Sequence, residues 1–262
     1  MDLIKGKRAV AYFDVLGFKA KIKNQDLQTI VEQYENLINY TNGQITFNDV
    51  SKGYYFKEVC HRYIFSDSIF LVAYEDTEES FYDLLSYAWR MMQFAIACGY
   101  PLRGAIVYGD VYVDVKKNIY VGEAIVDAVL LEGTQNWIGA IIDNGVLSRY
   151  SNTFTDEKLG YAHRLILQEY NVPCKNGIVN KYLTINWRAN LNSHNGIKAL
   201  FKNETKEESV ELKIQNTLDY CKYLRTNDMV YMDRALAPMQ YRHVFIGNES
   251  DFNNPHPIDD GY

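Results

Sequence analysis

Two aspartates, Asp14 and Asp67, interrupt apolar runs and are the residues whose placement points most directly to chemistry. Asp14 follows the apolar residues 9–13, and Asp67 lies between the apolar residues 63–65 and 69–72. Burying a carboxylate there costs on the order of several kcal/mol unless a cation meets it. Two such interruptions, each at the end of a predicted strand, indicate one shared cation. Mg²⁺ or Mn²⁺ would fit, because hard divalent ions take carboxylate oxygens and keep positions open for phosphates.

A second interpretation of the two aspartates needs no cation. Asp14 would cap the helix that follows it, and Asp67 would supply a polar residue to a hairpin turn. Either interpretation fits each aspartate alone, whereas the occurrence of both at strand ends favours the shared cation.

The elements that must position these residues follow from the apolar periodicity. Strands are predicted at residues 8–13, 59–65, 68–74, 102–107 and 138–142, and helices at residues 19–40, 78–98 and 123–131. A loop is predicted at residues 41–58, and Gly109 and Asp110 are predicted to turn the chain into a short strand at residues 111–113. This order predicts an α+β protein with a ferredoxin-like βαββαβ core. A strand at residues 182–187, a helix at residues 207–224 and a loosely held tail at residues 248–262 follow.

Composition limits the partners and the compartment. The net charge of −6 and the sequence pI of about 5.4 argue against nucleic acid or an anionic membrane as the main partner. No apolar run approaches the roughly 20 residues of a membrane span, and the first residues lack the apolar run of a signal peptide. The sequence therefore predicts a cytoplasmic protein. Its four irregularly spaced cysteines favour neither structural zinc nor a disulfide framework.

Four segments around these residues, taken in order, resemble the motifs of class III nucleotidyl cyclases. Asp14 with the Gly-Phe pair after it resembles the first metal motif, and the turn that carries Asp67 resembles the second. The segment from Arg103 to Asp110 resembles the family's fourth strand, and Gly122 opens a helix similar to the one that carries its transition-state residues. The resemblance covers about residues 8–145, which implies a catalytic core there and a C-terminal extension over residues 146–262.

The resemblance implies a role for each site residue. Asp14, Asp67 and the carbonyl of Val15 would hold two Mn²⁺ or Mg²⁺ ions beside a nucleoside triphosphate. Arg103 would supply positive charge to the triphosphate or the transition state; the alternative is an ion pair with Asp110 or another acid. Substrate contacts are expected from Gly17, Phe18, Ser66 and Tyr63. For Gly17 the alternative is a tight strand-to-helix turn, and for Tyr63 it is a place in the core.

Two departures from the family bear on the substrate. Adenylate cyclases of this class have an adenine-reading Lys at the position of Tyr63, whose flat phenol can stack on a base or fill the space of a purine. The helix after Gly122 also lacks the family's Asn and Arg, because either register presents Val126 or Asp127 and then Leu130 or Leu131. Arg103 or Arg62 would have to take the place of that Arg.

These departures resemble the Pycsar pyrimidine cyclases of bacterial antiphage defence, whose cyclic UMP or cyclic CMP activates a separate effector protein. The resemblance implies a head-to-tail homodimer in which one chain supplies the metal ligands and the other the base-reading position. Two other functions stay open: a purine cyclase, in which Tyr63 stacks on adenine or guanine, and a non-catalytic dimeric nucleotide-binding module.

Overall fold

The protein is built around an eight-stranded sheet. Its computed structural model describes residues 3–43, 59–97, 99–155, 166–187, 200 and 208–227. The strands are β1 (Leu3–Val15), β2 (His61–Phe65), β3 (Ser68–Val72), β4 (Leu102–Asp114), β5 (Ile119–Val121), β6 (Gly139–Ile142), β7 (Leu167–Pro173) and β8 (Val179–Ile185). The described helices are α1 (Phe18–Asn24), α2 (Leu27–Gly43), α3 (Glu78–Ala97), α4 (Glu123–Thr134), α5 (Asn144–Arg149), α6 (Ser151–Thr155) and α7 (Glu208–Asn227).

The first part of the sheet has the predicted ferredoxin-like arrangement. Its strands lie in the order β2-β3-β1-β4, and each neighbouring pair is antiparallel. Helices α1 and α2 connect β1 to β2, and α3 connects β3 to β4. The α+β fold and its βαββαβ core are therefore confirmed. Beyond β4 the sheet continues with β6, β8 and β7, so strands from residues 146–262 add directly to the core.

Successive side chains along each strand point to opposite faces of the sheet, and different helices cover the two faces. Ala9, Ala11 and Phe13 of β1 lie in the larger buried cluster, which includes residues of α2 and α3. Val10 and Tyr12 lie in a smaller cluster with Ala124 and Ala128 of α4, so α4 covers the opposite face. Asp14 continues the alternation of Val10 and Tyr12, which places its side chain on the α4 face.

The predicted turn at Gly109 and Asp110 is wrong. β4 runs unbroken from Leu102 to Asp114, because it pairs with β1 along the whole length of both strands. Gly109 instead lies within a strand beneath α4, where a Cβ would be in van der Waals contact with Ala124 at 3.4 Å. A glycine within a strand has the same sequence signature as a glycine in a turn.

Other boundaries also differ from the sequence prediction. The helix predicted at residues 19–40 is two helices, because Asp26 accepts a hydrogen bond from the backbone N–H of Thr29 and begins α2. Strand β7 was not predicted. Residues 41–43 of the predicted loop belong to α2, while residues 44–58 and the tail at residues 248–262 lie outside the described residues.

In the part of the chain that the structure describes, no helix combines the length and apolar character that crossing a membrane requires.

Candidate functional site

The two aspartates meet at one corner of the sheet, at the end of β1. Asp14 is the second-last residue of β1 and lies opposite Ser68, the first residue of β3. Asp67 belongs to the two-residue turn between β2 and β3, and its carbonyl accepts a hydrogen bond of 3.0 Å from the backbone N–H of Val15. The fold thus brings together two acids that are far apart in sequence.

The environment of Asp14 is poorly suited to an unaccompanied carboxylate. Its side chain is 24% exposed, and burial raises the pKa of its carboxyl above the ordinary value. The Arg103 guanidinium opposes this shift, whereas the negative charge of Asp67 raises the pKa of Asp14 further. Asp67 therefore lies within electrostatic range of Asp14, and a cation between the two would relieve both effects.

The donor atoms at this corner fit a hard divalent ion. Both candidate ligands are carboxylates, the type of oxygen that Mg²⁺ and Mn²⁺ bind. The described residues contain no cluster of three or more His, Cys, Asp or Glu side chains suited to a metal. A bound ion would therefore complete its shell with backbone carbonyls such as that of Val15, with water or with phosphate oxygens.

Hydrogen bonds hold the turn that carries Asp67 from both sides. The Tyr34 hydroxyl on α2 donates to the carbonyl oxygen of Ser66 at 2.9 Å, and the Tyr12 hydroxyl lies 3.1 Å from Ser68 Oγ. Ser66 has a left-handed backbone, with φ of 57°, and an exposed side chain. Asp67 is thus presented on a fixed turn.

The segment after β1 turns sharply at Gly17 and then begins α1. Gly17 has φ of 74°, a left-handed conformation that glycine adopts without steric cost, and it is the residue before α1. The alternative in which Asp14 caps this helix is wrong, because α1 has no side-chain cap. Phe18 is buried, and its ring packs edge-on against Tyr34 at 6.2 Å. Substrate contacts from Gly17 and Phe18 stay predictions.

Arg103 lies directly across from Asp14 in the pairing of β4 with β1. Its Nη2 is 3.8 Å from Asp14 Oδ2, its Nε donates to Glu132 on α4, and its Nη1 donates to the carbonyl of Gln135 at 3.1 Å. Arg103 therefore forms ion pairs with acids, as the alternative expected, but the partners are Glu132 and Asp14 and not Asp110. Arg103 is nonetheless within reach of the carboxylate corner.

Tyr63 shares the α4 face of the sheet with Asp14 but lies two strands away. It pairs with Phe70, which pairs with Tyr12, two residues before Asp14. Strand spacings put the two Cα atoms about 12 Å apart. The ring is partly exposed and makes an edge contact with Tyr120 at 5.1 Å. Arg62 points to the opposite face, where it donates to Asn42 at 3.3 Å, so it does not reach this corner.

Two lysines from the C-terminal extension, Lys175 and Lys213, act electrostatically on this corner and were not expected from the sequence. Lys175 is an exposed residue, yet desolvation lowers its pKa, and the nearby positive charges of Arg103 and Lys213 lower it further. Both lysines also act on Asp14, whose pKa they lower. Lys175 is held by its backbone N–H, which donates to the carbonyl of Thr134 at 2.8 Å. No local pattern in the sequence links residues so distant in the chain.

Glu132 was also missed, although the sequence carries a signal for it. It continues the stripe of Ala124 and Ala128 at four-residue steps, so it faces the sheet with them and is buried. A glutamate on the buried stripe of a helix requires a cationic partner, which here is Arg103.

A cavity of about 330 Å³ lies beside α4, away from Asp14. Its lining is formed by Val107, Tyr108, Asp127, Leu130, Leu131, Thr134 and Asp143. Asp127 and Leu131 belong to the α4 positions at which the cyclase resemblance expects Asn and Arg, and neither can supply a cation to phosphate.

No family model and no curated protein matches the sequence. Similar solved structures include the adenylyl cyclase CyaB from P. aeruginosa, with 12% identity and a TM-score of 0.46 over 72% of this chain and 98% of that chain. The catalytic core of a rhodopsin-guanylyl cyclase with converted specificity, in complex with ATPαS, has 8% identity and a TM-score of 0.43 over 71% of this chain and 98% of that chain.

A bacterial light-regulated adenylyl cyclase is similar at 8% identity and a TM-score of 0.43, over 81% of this chain and 99% of that chain. These likenesses concern the course of the backbone. The candidate function is carried by this chain's own residues at the end of β1, where Asp14, Asp67 and Arg103 converge.

Proposed function

We propose that the protein is a nucleotidyl cyclase, a phosphorus–oxygen lyase that converts UTP or CTP to the 3′,5′-cyclic nucleotide and pyrophosphate. The observation that carries this proposal is the convergence of Asp14 and Asp67 at one corner of the sheet, with Arg103 across from Asp14. An acidic protein needs such a corner to bind a triphosphate, because the carboxylates recruit the cations that offset the phosphate charge.

Asp14, Asp67 and the carbonyl of Val15 would hold two Mn²⁺ or Mg²⁺ ions. When bound, such ions lower the pKa of the ribose 3′-hydroxyl and neutralise the triphosphate. In the reaction a bond forms between the ribose O3′ and the α-phosphorus, the bond from that phosphorus to the pyrophosphate oxygen breaks, and the hydroxyl proton passes to water. The part of the two carboxylates is to fix the geometry of this in-line displacement.

Cationic side chains around the corner would stabilise the negative charge that develops on the leaving pyrophosphate. Arg103, Lys175 and Lys213 each lie within electrostatic range of Asp14, and Lys175 lies within range of the other two. Guanidinium and ammonium groups stabilise phosphate oxygens directly. This set offers a substitute for the cation that α4 lacks. The turn residues Gly17, Phe18 and Ser66 would contact the substrate on the other side of Asp14.

A pyrimidine substrate follows from Tyr63 in this proposal. A ring at this position narrows the space for a base and offers one hydroxyl for hydrogen bonding, which suits the smaller bases of UTP and CTP. Because Tyr63 lies about 12 Å from Asp14 within one chain, it would serve the site of a second copy.

The second copy would form a head-to-tail homodimer with two equivalent sites. Its support is a set of exposed apolar side chains on β5 and α4, namely Val121 (55% exposed), Val126 (56%) and Leu130 (64%). Exposed apolar side chains on these two consecutive elements are the kind that an interface would bury. In the same proposal the protein is cytoplasmic, its cyclic nucleotide is a signal in antiphage defence, and a separate effector protein binds that product.

Incubation of the purified protein with Mn²⁺ and each of the four ribonucleoside triphosphates tests the proposal. Products are resolved by chromatography and identified by mass. Cyclic UMP or cyclic CMP is the expected product, whereas cyclic AMP or cyclic GMP would move the assignment to a purine cyclase. The absence of any cyclic product from a folded dimer would favour a non-catalytic nucleotide-binding module, which the apolar Leu131 on α4 already suits.

A further inference from the structure

Arg103 and Glu132 form a buried ion pair directly beside Asp14. Their side chains are 8% and 6% exposed, against 24% for Asp14. Burying a charged pair is costly, and replacing such a pair with apolar residues is often neutral or stabilising. The pair therefore requires an explanation other than stability.

Two acids share the Arg103 guanidinium. Among the described residues, two carboxylates form ion pairs with this single guanidinium, and they are not equivalent. Glu132 accepts a direct hydrogen bond from Arg103 Nε, whereas Asp14 Oδ2 stays 3.8 Å from Nη2, beyond a normal hydrogen bond. Glu132 thus holds the guanidinium, and Asp14 keeps its oxygens available.

Hydrogen bonds made by Gln135 and Trp137 hold the Arg103 guanidinium in this position. The carbonyl of Gln135 accepts from Arg103 Nη1 at 3.1 Å, while the Gln135 side chain donates to the carbonyl of Gly104 at 2.8 Å. Trp137 Nε1 donates to the side-chain oxygen of Gln135 at 2.8 Å. The guanidinium is therefore anchored on the α4 side.

We propose that Glu132 is a positioning residue that holds Arg103 off Asp14 and so keeps the Asp14 carboxylate free to bind a divalent cation. This inference rests on the proposed function, since it assigns a purpose to Glu132 at the same site. Without the Glu132 charge, Arg103 retains one carboxylate partner and closes on Asp14. The guanidinium then competes with the metal for the same oxygens.

The test is the affinity of the nucleotide-free protein for Mn²⁺, measured from the electron paramagnetic resonance signal of free Mn²⁺. Glu132→Gln keeps an acceptor oxygen for Arg103 Nε but removes the charge, and it should weaken Mn²⁺ binding by about 10- to 100-fold, as for other residues that support metal ligands. Glu123→Gln, an exposed position on the same helix, is the matched control and should bind Mn²⁺ as the wild type does.

A double variant, Arg103→Met with Glu132→Met, separates competition from structural support. It removes the competing cation together with its partner, so Mn²⁺ affinity should return to the wild-type value or exceed it. This variant also decides the matter if Glu132→Gln does not fold. Affinity at least about 10-fold below wild type in a folded double variant would overturn the proposal.

If the proposed function is wrong, the Mn²⁺ binding of the wild type and the variants differs from what is expected if only the role of Glu132 is wrong. Asp14→Asn identifies Mn²⁺ bound at this corner, because it should abolish that binding. If the wild type shows Asp14-dependent binding and Glu132→Gln binds equally well, the role of Glu132 is refuted while the metal site stands. If no binding depends on Asp14, the metal site and the role of Glu132 fall together.

Discussion

The backbone N–H of Val15 donates to the carbonyl oxygen of Asp67 at 3.0 Å, and this bond joins the two chain segments that carry the candidate metal ligands. The bond continues the pairing of β1 with β3 by one step beyond Asp14 and Ser68. The separation of the two aspartate backbones is therefore set by strand pairing and by the tight turn between β2 and β3. A site held by strands and a tight turn in this way is held more firmly than one on a long loop.

Replacing either aspartate should abolish turnover without unfolding the protein. For Asp14→Asn and Asp67→Asn we expect cyclic nucleotide production to fall at least about 100-fold, because each amide loses a charge that holds the metal. Folding should survive at Asp14, since burial already disfavours the charged form there. Product chromatography with mass detection measures turnover, and thermal melting followed by circular dichroism measures folding.

The control for this pair is Asp110→Asn, an exposed aspartate on β4. It should retain wild-type turnover. Wild-type turnover in both Asp14→Asn and Asp67→Asn would refute the proposal that these two aspartates bind the metal ions.

Sequence reasoning reached Asp14 and Asp67 because the evidence for them is local. An acid at the end of an apolar run can be recognised within ten residues, and the turn at Ser66 and Asp67 lies where the pattern predicts it. The same reasoning failed for Gly109, because a glycine under a helix cannot be told from a glycine in a turn without the partner strand.

The lysines near Asp14 could not be predicted from the sequence, and the reason differs from that for Gly109. Lys213 lies within electrostatic range of Asp14 because two hydrogen bonds link α7 to the segment after α4. Thr217 Oγ1 accepts from the backbone N–H of Ile138, and Asn216 donates to the carbonyl of Asn136. Those bonds join distant parts of the chain. The sequence pattern of a lysine in a charged helical segment gives no sign of such a position.

Neutralising Lys213 should weaken substrate binding. For Lys213→Gln we expect the KM for the nucleoside triphosphate to rise about 10-fold, the effect of losing one charged contact to phosphate. Lys222→Gln, an exposed lysine on the same helix, should leave KM unchanged. Steady-state kinetics at saturating Mn²⁺ measures both variants. Equal KM values in the two would place Lys213 outside the substrate site.

Stability should depend on pH through Asp76, which anchors the segment around α5. Partial burial acts to raise the pKa of Asp76, but hydrogen bonds from Arg149, Tyr108 and Tyr150 lower it below the ordinary 3.8. A carboxyl with a depressed folded-state pKa stabilises the fold above its unfolded pKa, and that contribution is lost as pH falls through the folded value. Asp76→Asn should therefore lower Tm at pH 7 and have progressively less effect below about pH 4.

Thermal melting of the wild type and of Asp76→Asn across this pH range, with the exposed Asp110→Asn as control, checks the dependence on Asp76. A Tm difference between Asp76→Asn and the wild type that is constant with pH would show that the effect is steric and not electrostatic.

A charge on the exposed face of α4 should break the proposed dimer. Leu130 is 64% exposed, and burying a leucine contributes about 1.5–3 kcal/mol. Because a homodimer carries the substitution twice, Leu130→Lys should weaken self-association by at least about 100-fold. Turnover per chain should fall at concentrations where the variant is monomeric. Leu212→Lys, at a leucine on α7 that is 52% exposed, is the matched control. Sedimentation equilibrium measures association, and an unchanged dimer in Leu130→Lys would exclude this face from the interface.

Tyr63 should determine which bases the enzyme accepts. Its ring is partly exposed on the α4 face, and Tyr120 supports it from one edge at 5.1 Å. Removing the ring opens space for a purine, so in Tyr63→Ala the ratio of kcat/KM for ATP to that for UTP should rise at least about 10-fold, the scale of discrimination by pocket size. Tyr112→Ala, a partly exposed tyrosine on β4, controls for the loss of a ring elsewhere. An unchanged ratio in Tyr63→Ala would show that another residue reads the base.

Mixing the two variants Tyr63→Ala and Asp14→Asn tests whether the base-reading residue and the metal ligands come from different chains. If they do, each mixed dimer has one site with neither substitution, and mixing should restore pyrimidine turnover.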